Sequence, residues 1–183
     1  LSFPNTSFHF IKNNHDDYGD YIRKLGTRLA IKNEALGVGY LDVDNTIENN
    51  HVENILDENR KTNKQIIIAK RKLIDNQKNI IDSKTAKFFD TNTINFFNNS
   101  MKIGLKWSCY PKELSLIGDR IISNYINTNF PNELSLISTP SVNYSYSKIS
   151  REKINYLKNW YILEYKNVKK TFIKNFGFNL SLK

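Results

Sequence analysis

Two carboxylates stand two positions apart in the segment Tyr40-Leu41-Asp42-Val43-Asp44-Asn45-Thr46-Ile47. Paired carboxylates are what nucleophilic and general acid–base chemistry draws on. They follow a stretch short enough for a strand but interrupted by Gly37 and Gly39. Other candidates are thinner. His9, His15 and His51 have no metal-ligand spacing, and the single cysteine, Cys109, makes no zinc site. Cys109 with one of these histidines could in principle form a nucleophile pair, yet no local pattern supports it. The histidines read as solvated surface residues. There is no P-loop and no glycine-rich dinucleotide fingerprint.

Asp42, Asp44 and Thr46 resemble the first motif of the haloacid-dehalogenase-type phosphatases. That resemblance implies Asp42 as nucleophile, Asp44 as acid/base and magnesium between carboxylates. The family's later parts are missing or misplaced. It needs a Ser/Thr, then a Lys, then an acidic pair, whereas Gly118-Asp119 precedes the best Ser/Thr candidates, Ser138 and Thr139. Short motifs arise by chance. A magnesium-dependent phosphatase using Asp42 and Asp44 therefore stands as the lesser alternative.

The elements that would position these residues fall into two parts, an extension over 1–100 and a domain over 101–183. Phe3, Phe8 and Phe10 alternate with polar residues, which suits a short strand or a docking arm. Residues 52–82 read as helix: Ile66, Leu73 and Ile80 recur at seven-residue spacing, and Ile67, Ile74 and Ile81 repeat beside them. Such a narrow apolar stripe needs another surface to cover it. Residues 91–100, rich in Asn, read as a linker.

Beyond residue 100 the periodicity becomes clean. Met101, Ile103, Leu105 and Trp107 alternate with polar residues or Gly104 and predict a strand. After Pro111, Leu114, Ile117, Ile121 and Tyr125 follow at helical spacing, and Pro131 forbids continuation. Val142, Tyr144 and Tyr146 predict a second strand. Residues 152–166 alternate at first and predict a third. Asn167 caps a short predicted helix with Val168, Phe172 and Ile173 inward. Phe176, Phe178, Leu180 and Leu182 predict a last strand. The order β-α-β-β-α-β is the ferredoxin-like split motif, an α+β fold with both helices on one sheet face.

Charge separates the same two parts. The chain of 183 residues carries a formal +9, but 1–100 hold 14 basic and 13 acidic side chains, against 13 and 5 in 101–183. A basic domain attracts polyanions, above all nucleic acid. One cysteine excludes a disulfide-stapled scaffold, and no apolar run approaches the ~18 residues of a membrane span. Asn, Ile and Lys number 26, 22 and 21, as codon drift in an AT-rich genome produces. The start, on Leu1 with early acidic residues and no Arg, reads neither as a transit nor as a signal peptide. It reads as a processed product or a non-standard start codon.

Residues 151–165, REKINYLKNWYILEY, resemble the Arg-Glu-x-aromatic segment that ends the long hairpin of the small-subunit ribosomal protein S-ten family, called NusE in bacteria. Arg151, Glu152, Ile154, Tyr156, Ile162, Leu163, Glu164 and Tyr165 occupy its places. Residues 102–106 are similar to the family's first strand and GFNLSLK to its last. The family's usual Pro-rich turn and Ser-Pro-His-Val-Asn loop are altered here, with 138–143 matching one or the other but not both, and its His-Lys-Arg cluster is Asn159, Trp160 and Tyr161. The resemblance covers 101–183 and implies a divergent, mitochondrial, organelle-encoded form. It implies no catalysis and no cofactor or metal. It implies a structural constituent of the small-subunit head, with ribosomal RNA and neighbouring ribosomal proteins as partners and no membrane. An organellar RNA-binding or ribosome-assembly protein on the same fold is the alternative. Lys102, Lys106, Lys148, Arg151, Lys153 and Lys158 would contact the RNA backbone. Tyr144 and Tyr146 could stack on bases, with core packing the favoured reading.

Overall fold

The computed structural model describes residues 9–12, 15–74, 80–82, 89–145 and 151–178. Helix α1 (Asp20–Lys32) leads into β1 (Gly37–Gly39) and, after a six-residue loop, β2 (Thr46–Ile47). Then come α2 (His51–Thr62), β3 (Ile66–Ile74), β4 (Ile80–Asp82) and β5 (Ile94–Phe97). Helix α3 (Gly118–Asn129), β6 (Leu134–Ser145) and α4 (Arg151–Phe176) complete the order. The fold is mixed α/β. Its sheet runs β1-β5-β3-β6-β2, with β4 also on β3. The β3–β6 pair is parallel and aligns Ile66 with Leu134 and Tyr144 with Leu73; the other pairs are antiparallel.

The expected helix over 52–82 stops at Thr62. Asn63 adopts a left-handed φ of 54° and its N–H closes on the Asn59 carbonyl. Three consecutive isoleucines follow, and β-branched side chains are stiff at χ1 and favour a strand. All of Ile66, Ile67, Ile68 and Ala69 are buried. Their alternation serves two cores. Ile66 and Ile68 face Phe96, Trp107, Ile121, Ile122 and Phe172, while Ile67 and Ala69 face Ile55 of α2, Phe97 and Val142. The seven-residue spacing joins residues of two different strands, since Ile66 and Leu73 belong to β3 and Ile80 opens β4.

Residues 91–100 are not a linker. They hold β5, whose four residues are all buried between β1 and β3. Residues 101–107 form no strand either. Asn98–Lys106 is a 3-10 helix, and its period of three buries Met101, Gly104 and Trp107 together. Gly104 is required there, because a Cβ would overlap the Tyr40 hydroxyl and Thr27 Oγ1. Leu114, Ile117 and Ile121 are buried as their spacing predicts, first on a 3-10 helix (Lys112–Ile117) and then on α3, while Tyr125 is half-buried. Phe130 and Pro131 end that helix.

The third expected strand, 152–166, is the first half of α4. Leu157, Val168, Phe172 and Phe176 lie at helical intervals and are buried along one side. The helix expected from Asn167 is its continuation, although Ile173 faces out. The described residues therefore do not form the β-α-β-β-α-β order. Strands from both sides of residue 100 share one sheet. The last expected strand begins at Phe176, which is instead the buried final residue of α4; residues 179–183 lie outside the described residues, as do Phe3 and Phe8.

Candidate functional site

The chain leaves β1 through Tyr40, which anchors the following loop. Its hydroxyl shares a 2.7 Å hydrogen bond with Thr27 Oγ1 of α1, and its ring stands edge-on to Phe96 and Trp107. Burial pushes this phenol up to about 12. Two residues on, Asp42 is held from both sides. Arg23 Nη2 donates to Oδ1 at 2.5 Å, and Asn92 Nδ2 donates to Oδ2 at 3.1 Å. The Asp42 N–H in turn donates to Asn92 Oδ1 at 2.6 Å. The Asn45 N–H closes a turn on the Asp42 carbonyl at 3.0 Å, leaving Asp44 exposed at its tip.

Asn92 also joins this loop to a second carboxylate, donating to Asp90 Oδ1 at 2.8 Å. Asp90 caps the short 3-10 turn Thr91–Thr93 and is fixed on its other oxygen by Arg71 of β3, at 2.9 Å. The Arg71 guanidinium lies over the Tyr144 ring of β6, 4.9 Å from its centre. Asp119, at the start of α3, faces the same region. Burial, then the charge of Asp90, push its carboxyl up to about 6, although the Arg120 N–H, Arg120 and Arg71 pull the other way. Burial, then Asp90, Asp119 and Asp44, raise Tyr144, against Arg71. Carboxylates from three separate segments thus act on one locus beside the end of the parallel strand pair.

Behind the locus, Arg23 is braced by the Tyr18 carbonyl at 2.8 Å, by Asp20 at 3.3 Å and by Trp107, over which it lies. Asp20 is 1% exposed. Burial pushes it up to about 6, opposed by Ser115, Tyr110 and Arg23. Among the described residues no three His, Cys, Asp or Glu side chains are arranged to hold a metal ion alone. The exposed Asp44 instead fits the mode in which magnesium takes one or two carboxylates plus phosphate oxygens of a substrate.

The residues expected to touch RNA do not assemble here. Lys102 is exposed on the 3-10 helix before Trp107. Lys106 Nζ donates to the Asn175 carbonyl at 2.6 Å and covers Tyr125 and Phe176. Arg151 and Lys153 open α4, and Lys158 is exposed one turn on. Lys148 and Tyr146 lie outside the described residues. Tyr144 is at the acidic locus. His51 is not on the surface: it is buried, bonds Ser141 Oγ at 2.8 Å, and burial lowers its pKa. Cys109 meets Lys24 and the Leu105 carbonyl. Spacing singles out Asp42 and Asp44, but not Arg23, Arg71, Asp90, Asn92 or Asp119, which only the fold brings to them. The local signal that existed was Asp90-Thr91-Asn92, a side-chain cap ahead of a strand.

No protein-family model matches the chain, and no curated protein does. Its mixed α/β fold is nevertheless shared with solved structures over most of its length. These are S. aureus TarS 1-349 in complex with UDP, with TM-score 0.55 at 14% identity over 92% of this chain and 54% of that one, and S. aureus TarS, with 0.52 at 14% over 92% and 33%. A third, TarS 1-349 in complex with UDP-GlcNAc, matches with TM-score 0.41 at 12% identity over 82% and 52%. The chain spans about half the length of TarS 1-349.

This likeness corrects the functional reading. The ribosomal resemblance places a hairpin ending at 151–165, where the chain has a helix, and the fold is one shared with part of TarS 1-349. The small-subunit reading falls with it, and so does the RNA-binding or assembly alternative on the same ferredoxin-like fold. The expectation of no catalysis rested on that resemblance and falls too. For the phosphatase alternative, both oxygens of the expected nucleophile Asp42 are hydrogen-bonded, one to Arg23 and one to Asn92.

Proposed function

We propose that this chain carries the site of a glycosyltransferase that uses a UDP-linked sugar. The observation that carries the reading is the Asn92 bridge: it locks the Asp42–Asp44 turn to Asp90, within reach of the field of Asp119. Fold likeness alone does not assign function. It raises this reading because TarS, a glycosyltransferase, was solved with UDP.

The chemistry follows from charge. A diphosphate cannot approach several carboxylates unless a cation stands between them. A divalent cation held by Asp44 and the diphosphate oxygens would supply that charge and stabilise the leaving group. Arg23 and Asn92 hold Asp42, and through it the turn, so that Asp44 meets the diphosphate without reorganising. Asp119 is the general base. It takes the acceptor hydroxyl's proton as that oxygen bonds to the sugar's anomeric carbon, while the bond from carbon to diphosphate breaks and UDP leaves. A carboxyl near 6 is largely ionised at neutral pH yet still basic enough for this task.

Calorimetric titration of UDP into the chain tests the reading. Saturable binding with Mn2+ is expected, weakened at least tenfold by EDTA. Asp44→Asn should weaken it similarly. Absence of binding at millimolar UDP with Mn2+, in protein whose circular dichroism shows helix and strand, overturns the assignment.

A further inference from the structure

Among the described residues, none covers a second face of helix α4. Leu157, Val168, Phe172 and Phe176 are buried on one side. About a quarter turn round the helix from them, Ile162, Lys166, Lys169 and Ile173 follow at intervals of four, three and four, and so line up on one stripe. Leu163, Lys170 and Lys174 flank it. Ile162 is 71%, Leu163 83% and Ile173 51% exposed, and all four lysines are exposed. Between Ile162 and Lys174 the one acidic residue is Glu164, which Asn167 holds at 2.9 Å. The stripe is about 17 Å long.

We propose that this face docks on the surface of an anionic phospholipid bilayer, with the helix lying in the interface plane. Each half of the pattern selects the partner. The ammonium groups, unopposed by carboxylates, match anionic headgroups. The aliphatic side chains between them gain nothing from a phosphate backbone, but they can enter the headgroup–acyl boundary while the lysine stems extend outward to water. Nucleic acid would use the lysines and leave Ile162, Leu163 and Ile173 exposed. Among the described residues no helix is long and apolar enough to cross a membrane, and the lysines hold this one at the surface. The inference does not depend on the glycosyltransferase reading, since α4's outer face takes no part in the carboxylate locus.

Vesicle co-sedimentation of the full chain tests it. Vesicles of phosphatidylcholine with 30% phosphatidylglycerol should pellet the protein, and pure phosphatidylcholine should not. Lys169→Gln with Lys170→Gln should weaken pelleting about fivefold per lysine. Leu163→Gln with Ile173→Gln should weaken it comparably at unchanged charge. Both positions are exposed, so folding is retained, as circular dichroism would confirm. Three results overturn the proposal: no pelleting on anionic vesicles; pelleting untouched by Leu163→Gln with Ile173→Gln; or self-association, lost in that variant, without vesicle binding. The second outcome, with competition by poly(U), would assign the face to nucleic acid.

Discussion

At Asp119 the balance of local charges sets when a base becomes available. Burial and Asp90 hold the proton on, while Arg71 and Arg120 favour its loss. As a base it works only when ionised, so transfer from a UDP-sugar should rise with pH through about 6. Asp119→Asn should abolish this limb and cut turnover by about 10²–10⁴-fold, leaving UDP affinity within about twofold. Asp90→Asn keeps the cap on Thr91–Thr93 but removes a negative neighbour, so the limb should move to lower pH. A limb that stays near 6 in that variant removes Asp119 from the base role. Asp20 makes the complementary case for stability. Its folded pKa is about 6 against 3.8 unfolded, so between those values the folded state binds the extra proton. Stability is therefore lost as pH rises from about 4 to 6, on the order of 3 kcal/mol for this buried group. Asp119 contributes in the same direction. Melting temperatures at pH 4.5 and 7 should differ less in Asp20→Asn than in the parent chain. Equal differences would show that Asp20 is not held protonated.

Elements were legible where one periodicity stood alone. Leu114, Ile117 and Ile121 keep helical spacing into the core, and nothing in the segment competes with it. Residues 154–162 satisfy both alternation and helical spacing, and only the core against which Leu157 and Phe172 pack decides for α4. At 101–107 the alternation breaks at half-buried Leu105, while buried Gly104 lies on the three-residue row with Met101 and Trp107. The site shows the same limit. Asp42 and Asp44 are visible because they are neighbours, whereas Asn92 lies fifty residues away and becomes their partner only after β1 pairs with β5. Gly104 tests how far this element positions the site. Gly104→Ala would drive a methyl into Tyr40 and Thr27, the pair that anchors the Asp42 loop. A loss of about 1–3 kcal/mol in urea unfolding is expected, with weaker UDP binding. An unchanged midpoint would mean that the 3-10 helix yields easily and does not brace the loop.

Across the whole molecule, the division that charge suggests at residue 100 does not coincide with the hydrogen bonding. The basic part, 101–183, contains β6, whose parallel partner β3 lies in the near-neutral part. Its helices α3 and α4 bury Ile121, Ile122, Ile126 and Phe172 against a core that Ile66, Ile68, Ile94 and Phe96 complete. A fragment of 101–183 would therefore expose the inner faces of both helices and leave β6 without a partner for nearly its whole length. Removing one such buried isoleucine to alanine costs about 2–5 kcal/mol, and domains have only about 5–15 kcal/mol of net stability to lose. The fragment is expected to show no cooperative unfolding transition by urea or heat and little dispersion in amide proton shifts. The intact chain should melt as one unit, and Ile67→Ala in β3 should lower the signal from Trp107 and that from Trp160 at the same midpoint. A cooperative transition in the fragment, or two separate midpoints in the intact chain, would establish 101–183 as an independent domain and place the +8 of that part in a unit of its own.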